Sequence, residues 1–315
     1  VDLSASYLGL RLASPVVPGA SPLTGDLDSI RRLEDAGAPA VVLCSLFEEQ
    51  VAAEALGASD VPTDPDRYLR QIRAAKDAVA IPVIASLNGT TDEGWMSFSR
   101  LIEQAGADAL ELNLFHISTN LWSSGATAEA HLLESVAAAR RSVGIPIAVK
   151  IFPYFSSIAS FARQLEEVGA NGLVLFNRLY QPDIDLEEGG APTGDPRLSS
   201  SSELLARLNW IAMLAGRVDV SLAASGGVHT AGDVLKCVLV GADVTQMVSA
   251  LMLHGPRHLG AVHDGIARWL ETHGHESLDS VRGVMSLDRR ADPRAFPRAG
   301  YLHVLQGWRT AERRA

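Results

Sequence analysis

Lys150 carries the most chemistry per residue in this chain. It stands in the apolar run Ile147-Ala148-Val149-Lys150-Ile151, whose alternation sends its β-branched residues one way and Lys150 the other. The run Ala109-Leu110-Glu111-Leu112-Asn113-Leu114 alternates in the same manner, with leucines on one face and Glu111 and Asn113 on the opposite face. If the leucines meet a helix layer, Glu111, Asn113 and Lys150 all point into the interior of a closed sheet. A buried carboxylate there costs several kcal/mol unless it is paired, so Glu111 and Lys150 are expected to pair from adjacent strands. A purely structural ion pair is the plainer reading. Against it, Asn113, Lys150 and Asn177 all fall near the C-terminal ends of their runs. One cation and two amides converging there suit a polar, electron-rich heterocycle.

A second feature is Ala223-Ala224-Ser225-Gly226-Gly227, followed downstream by Val248-Ser249-Ala250 at a helix start. Paired glycines let the backbone approach a ligand closely and aim N–H groups at it. A lone Gly-Gly can also be only a tight turn. Its place after a late strand favours a phosphate site.

The elements that must position these residues alternate along the chain. Short β-type runs lie at Pro15–Ala20, Ala40–Ser45, Pro82–Leu87, Ala109–Leu114, Pro146–Ile151, Gly172–Asn177, Val220–Ser225 and Val244–Ser249. Helical patterns lie at Leu27–Ala36, Asp64–Val79, Asp92–Ala105, Thr127–Val143, Ser157–Val168, Ser202–Leu214, Thr230–Val240 and Pro256–Thr272. Eight βα units imply parallel pairing and closure into a single (β/α)₈ TIM barrel. Gly37, Gly106, Gly169 and Gly241 each sit where a helix must stop and a strand begin, which calls for the left-handed conformation. The loops at the other end are longer and polar, at Phe47–Thr63, Asn88–Thr91, Phe115–Ala126 and Arg178–Ser201. In such a barrel the loops after the strands build the active site. No composition shift marks a second domain. Residues 1–315 read as one barrel domain, with Glu188–Ser201 as a lid or insertion and 277–315 as a tail packed on the exterior.

Composition narrows the class. Of 315 residues, 47% are hydrophobic and 20% charged, and the formal net charge is −10. An acidic chain argues against nucleic acid or an anionic membrane surface as partner. Cys44 and Cys237 are too few and too far apart for a disulfide framework or an iron–sulfur cluster. No apolar run reaches the roughly 18 residues that span a bilayer, and Val1–Leu12 lacks a signal-peptide core. A cytoplasmic protein acting on a small molecule is expected. His254, His258 and His263 have helical spacing but no accompanying inward carboxylate, so they read as helix histidines and no metal site is expected. Trp95, Trp210 and Trp269 read as packing.

Taken in order, Leu8-Gly9-Leu10, Ser14-Pro15-Val16, Glu111-Leu112-Asn113-Leu114, Val149-Lys150 and Gly226-Gly227-Val228 resemble the dihydroorotate dehydrogenase family along essentially the whole barrel. The strand end Ala85-Ser86-Leu87-Asn88-Gly89 and the tail segments Arg282–Ser286 and Pro297–Tyr301 are most similar to the branch called dihydroorotate dehydrogenase-like proteins. The resemblance implies an FMN-dependent oxidoreductase acting on C–C single/double bonds, of a type related to pyrimidine biosynthesis. It implies that Ala20 and Ser21 lie against the flavin ring, and that Lys150 contacts the ring where negative charge gathers on reduction. Gly226, Gly227 and Ser249 match the phosphate cradle. Asn113 and Asn177 match asparagines that hold the flavin edge and a flat substrate, and Ser45 and Asn88 join the cofactor-binding positions.

The departures concern the substrate side. The family's base, a cysteine or serine after strand four, is matched without gaps by His116, and a short shift would offer Ser118 or Thr119 instead. His116 could equally only line the loop. Cys44 stands where the family often has lysine, and Glu54, a substrate-side position, stands near where it has asparagine. Val248 replaces a small glycine beside the phosphate. FMN binding is therefore expected to survive and orotate recognition to be altered. Two other readings stay open: a non-redox phosphate-binding lyase or isomerase with Lys150 as nucleophile, and a non-catalytic FMN-binding subunit. Homo-oligomerisation and a separate electron-transfer subunit stay open as well.

Overall fold

A computed structural model describes residues 1–48, 65–89, 91–115, 119–178 and 198–289. Strands β3 (Val16–Pro18), β4 (Val41–Val42), β6 (Val83–Asn88), β7 (Ala109–Asn113), β8 (Ile147–Ile151), β9 (Gly172–Leu175), β10 (Ser221–Ser225) and β11 (Val244–Met247) form one parallel sheet. Its order, β3-β11-β10-β9-β8-β7-β6-β4, brings the first and last strands side by side and curls the sheet into a nearly closed eight-stranded barrel. A further short strand, β5 (Leu46–Phe47), extends the pairing along the upper part of β6. Outside the ring run α1 (Leu27–Asp35), α2 (Pro65–Ala78), α3 (Asp92–Gln104), α4 (Gly125–Ser142), α5 (Ile158–Glu167), α6 (Leu204–Leu214), α7 (Ala231–Val240), α8 (Ser249–His254) and α9 (His258–Thr272). This is the (β/α)₈ barrel expected from the alternation, with α8 as a short addition before the last helix.

The core divides into two layers, as a barrel demands. Leu110, Leu112, Ile147, Val149 and Leu173 pack outward against the helices. Val17, Val42, Ile84, Ala109, Ala148, Val174, Ala223 and Val244 form a separate apolar layer inside the ring. Since side chains alternate, the next inward positions up the same strands are Ser86, Glu111, Lys150, Ser225 and Gln246. An apolar floor therefore supports a polar storey just below the mouth.

The floor is sealed by an element that the β-periodicity did not announce. Strands β1 (Ala5–Tyr7) and β2 (Leu10–Leu12) form an antiparallel hairpin, and its Tyr7, Leu8 and Leu12 plug the barrel from below. Its two-residue turn places both Leu8 and Gly9 at positive φ, 54° and 77°, as the twist of a tight hairpin requires. Leu8 reaches so close to Gly172 that a Cβ there would lie 2.6 Å from Leu8 Cδ2.

Gly37, Gly106, Gly169 and Gly241 adopt φ between 93° and 113°, each closing a helix as the junction pattern predicts. Beyond α9, Leu278, Val281 and Leu287 are buried. The backbone of Gly283, Met285 and Leu287 donates to the carbonyls of Val238, Leu239 and Ala212, so this stretch packs on α6 and α7. Among the described residues no helix is long and apolar enough to cross a membrane.

Candidate active site

In the polar storey, Asn113 of β7 stands in register with Lys150 of β8, so Glu111 lies one inward step below that pair. The Lys150 ammonium lies 3.4 Å from Glu111 Oε1 and donates to Gln246 Oε1 at 3.0 Å. The Gln246 amide closes the triangle by donating from Nε2 to Glu111 Oε2. Glu111 is only 1% exposed and Lys150 7%. One end of Gln246 accepts from the cation and the other donates to the anion, so both charges are satisfied without water. The expected Glu111–Lys150 pair is present, and Gln246 is a third member. Its signal lay in the alternation Val244-Thr245-Gln246-Met247, where an inward glutamine above an inward valine resembles the lysine above Ala148.

Below this triangle the Tyr7 hydroxyl is fully buried and has no hydrogen-bond partner among the described residues. Burial pushes its phenol well above the usual tyrosine range, and the Glu111 and Asp243 carboxylates add to the effect. Above it, Asn177 donates from Nδ2 to Asn113 Oδ1 at 2.5 Å, bringing together the two amides expected to converge. Asn177 is held there by its own N–H on the Ile151 carbonyl.

The neighbouring strand ends are also polar. Ser45 and Ser86 share a hydrogen bond at 2.7 Å between hydroxyls, and Ser86 N–H donates to the Tyr68 hydroxyl at 2.8 Å. Asn88 is buried at the top of β6. Ala20 packs against the interior layer after β3, and Ser21 opens a single turn in which Thr24 Oγ1 donates to the Ser21 carbonyl. Burial pushes the half-buried Cys44 thiol up, which keeps it protonated near neutral pH.

The glycine pair after β10 adopts positive φ at both residues, 90° and 80°. Behind it, the Arg207 guanidinium donates to the Ser225 carbonyl at 2.9 Å and lies so near Gly226 that a Cβ there would approach Nη2 to 2.7 Å. Burial lowers the Arg207 pKa, partly offset by Glu203. Facing the turn, Gly227 N–H donates to Ser199 Oγ at 3.3 Å, and Ser199 Oγ donates to Ser249 Oγ at 2.9 Å. The expected Gly226, Gly227 and Ser249 are thus brought together, with Ser199 facing them and Arg207 bracing the turn from behind. Val248 does not wedge this cradle open. It turns toward Gly19, where a Cβ would meet Val248 Cγ2 at 2.9 Å. The volume gained at one position is taken up by an absent side chain at the other.

The donors present fit a flavin mononucleotide: main-chain N–H and hydroxyl groups for a phosphate, and an ammonium and two amides for a polar ring system. His116, Ser118 and Glu54 lie outside the described residues. His258 and His263 spend ring nitrogens on the His229 carbonyl and the Ser14 hydroxyl. Among the described residues no group of three or more His, Cys, Asp or Glu gathers to hold a metal.

Comparison with known proteins gives the family. The family described as dihydroorotate dehydrogenase matches residues 57–270. A putative dihydroorotate dehydrogenase A (fumarate) from Aeropyrum pernix is 26% identical over 298 residues, covering 90% of this chain and 97% of that protein. The catalytic subunit of dihydroorotate dehydrogenase B (NAD(+)) from Pyrococcus abyssi is 26% identical over 306 residues, covering 90% and 98%. The NAD-dependent dihydropyrimidine dehydrogenase subunit PreA of Escherichia coli is 23% identical over 314 residues, covering 90% of this chain and 76% of that subunit. With two-thirds of its length matched, a barrel of the right order and a lysine buried at its mouth, the chain belongs to the dihydroorotate dehydrogenase family of oxidoreductases.

Proposed function

We propose that this chain is an FMN-dependent oxidoreductase that passes a hydride between flavin and a small substrate with a C–C single/double bond beside a carbonyl. The observation that carries the reading is the Lys150 ammonium, fixed by Glu111 and Gln246 above the apolar floor of the barrel interior. Bound FMN supplies hydride acceptance and donation at its ring. The chain's own residues supply charge, orientation and proton handling.

Lys150 sets its ammonium in a buried site, where it would face the edge of a bound ring that gathers electron density on reduction. A preorganised charge of this kind needs no reorganisation during reaction. Glu111 and Gln246 act through Lys150, holding its Nζ in place rather than touching substrate. Their grip also argues against Lys150 as an amine nucleophile, which needs a free base form. Asn113 and Asn177 orient a flat heterocycle through their amides. Ala20, Ser21, Ser45 and Asn88 border the ring, and Gly226, Gly227 and Ser249 take the phosphate. His116 or Ser118, on the loop after β7, removes or returns the proton at the carbon beside the substrate carbonyl.

The altered loop and Glu54 favour a substrate other than dihydroorotate. The relatives include proteins named for dihydroorotate and for dihydropyrimidine, so a cyclic amide related to these is the substrate class. A separate electron-transfer subunit is part of the same proposal, since two of these relatives are named as subunits. The test is optical. Purified protein is expected to be yellow, to bleach on anaerobic reduction, and to turn over dihydroorotate poorly with an artificial acceptor. Colourless protein whose Lys150 is trapped on a carbonyl compound by borohydride would overturn the redox reading. Robust dihydroorotate turnover would overturn the altered substrate.

A further inference from the structure

The geometry points to His229 as a phosphate ligand of this site, a side chain added to the main-chain cradle. The inference rests on the FMN reading above and deepens it. Three groups converge on one oxygen atom. Ser199 Oγ lies 3.3 Å from Gly227 N, 2.9 Å from Ser249 Oγ and 3.3 Å from His229 Nε2. An anion that reaches the Gly227 N–H and the Ser249 hydroxyl therefore lies within one hydrogen bond of Ser199. It then comes within reach of the His229 imidazole, either beside the Ser199 hydroxyl or in its place.

His229 is held for this task. Its backbone N–H donates to Asp233 Oδ2 at 3.1 Å, and its carbonyl is bound to His258 Nε2 at 2.7 Å. The residue is therefore pinned at both ends while the ring faces the cradle. The N-terminus of α7 is not available to an anion, because Asp233 Oδ2 already takes the Thr230 N–H at 3.0 Å and the Thr230 hydroxyl at 3.0 Å. Arg207 sits behind the turn, with Nε and Nη1 given to the Ser225 and Glu203 carbonyls and Nη2 4.0 Å from Glu203 Oε2. Among the described residues His229 is the ring donor left facing the phosphate position, and a donor to an anion is stronger than one to a neutral acceptor.

Flavin affinity tests this directly, because riboflavin shares the ring system and lacks the phosphate. The full chain, freed of flavin, is titrated with FMN and with riboflavin by fluorescence quenching. In wild type, FMN is expected to bind far more tightly. His229→Leu is expected to cut the FMN-over-riboflavin preference roughly 10- to 100-fold, as for loss of one hydrogen bond to a charged group. His229→Gln, which keeps a donor near the Nε2 position, is expected to retain most of the preference. Riboflavin affinity should stay level in both variants, which also reports that the barrel is folded. A parallel fall for both flavins, or an unchanged preference in His229→Leu, overturns the assignment while leaving the FMN reading intact. Wild type that binds neither flavin overturns the FMN reading and the assignment with it.

Discussion

Replacing Lys150 by methionine removes the cation and keeps most of the side-chain volume, so the result measures charge rather than packing. Glu111, 1% exposed, then keeps the Gln246 amide as its one side-chain partner among the described residues. Breaking a buried pair by removing one partner costs about 3–5 kcal/mol, because the remaining ion keeps its desolvation penalty. Glu111→Gln in the same chain removes that penalty, leaving neutral groups that can hydrogen-bond to Gln246. The double variant K150M/E111Q is therefore expected to recover at least about 2 kcal/mol of the loss. Urea unfolding of the flavin-free protein is the assay, since bound flavin would add stability by mass action and mask the difference. If K150M unfolds within about 1 kcal/mol of wild type, or if the two substitutions are simply additive, Glu111 and Lys150 are not a desolvated pair and the reasoning fails.

Tyr7→Phe deletes a buried hydroxyl that has no partner among the described residues and is expected to leave stability unchanged or raise it by about 1 kcal/mol in urea; a loss above that would reveal a hydrogen bond to the hydroxyl. Gly19→Ala should destabilise by about 1–3 kcal/mol through contact with Val248 and Gln246, and adding Val248→Ala should restore part of it; equal losses in single and double variants would show that the two sites do not share volume. Burial holds the His263 imidazole below its ordinary 6.5, against the opposing pull of Asp264. The folded state therefore favours the neutral ring, and its contribution is complete above that value and lost as pH falls through the interval below it. Urea midpoints measured from about pH 7.5 to 5 should fall more steeply in wild type than in His263→Gln, and parallel curves would count against a buried neutral His263.

Much of this architecture is readable from periodicity because its physics is local. Leucines at 110 and 112 against Glu111 and Asn113 mark an inward face without any knowledge of the partner strand. Helix-ending glycines at 37, 106, 169 and 241 mark where the chain turns back. The features that escape such reading are long-range or atypical. The floor hairpin turns on Leu8, a residue whose positive φ no propensity suggests. Gln246 becomes part of the ionic site only because β11 closes the ring far from β7 in sequence. The accommodation of Val248 by Gly19 is a pairing in space across 229 positions, which nothing beside the valine in sequence announces. His229 and Ser199 meet only after two loops fold over the same turn. His116, Ser118 and Glu54, which bear on the base and the substrate, lie outside the described residues.

A Lys150 charge that faces the reducible ring must register in the midpoint potential of bound flavin. Relative to wild type, K150M is expected to lower that potential by at least about 30 mV, equivalent to roughly 1.4 kcal/mol for a two-electron couple, with Lys150→Arg falling between the two. Equal potentials in wild type and K150M, or a wild-type chain that holds no flavin to measure, would contradict it.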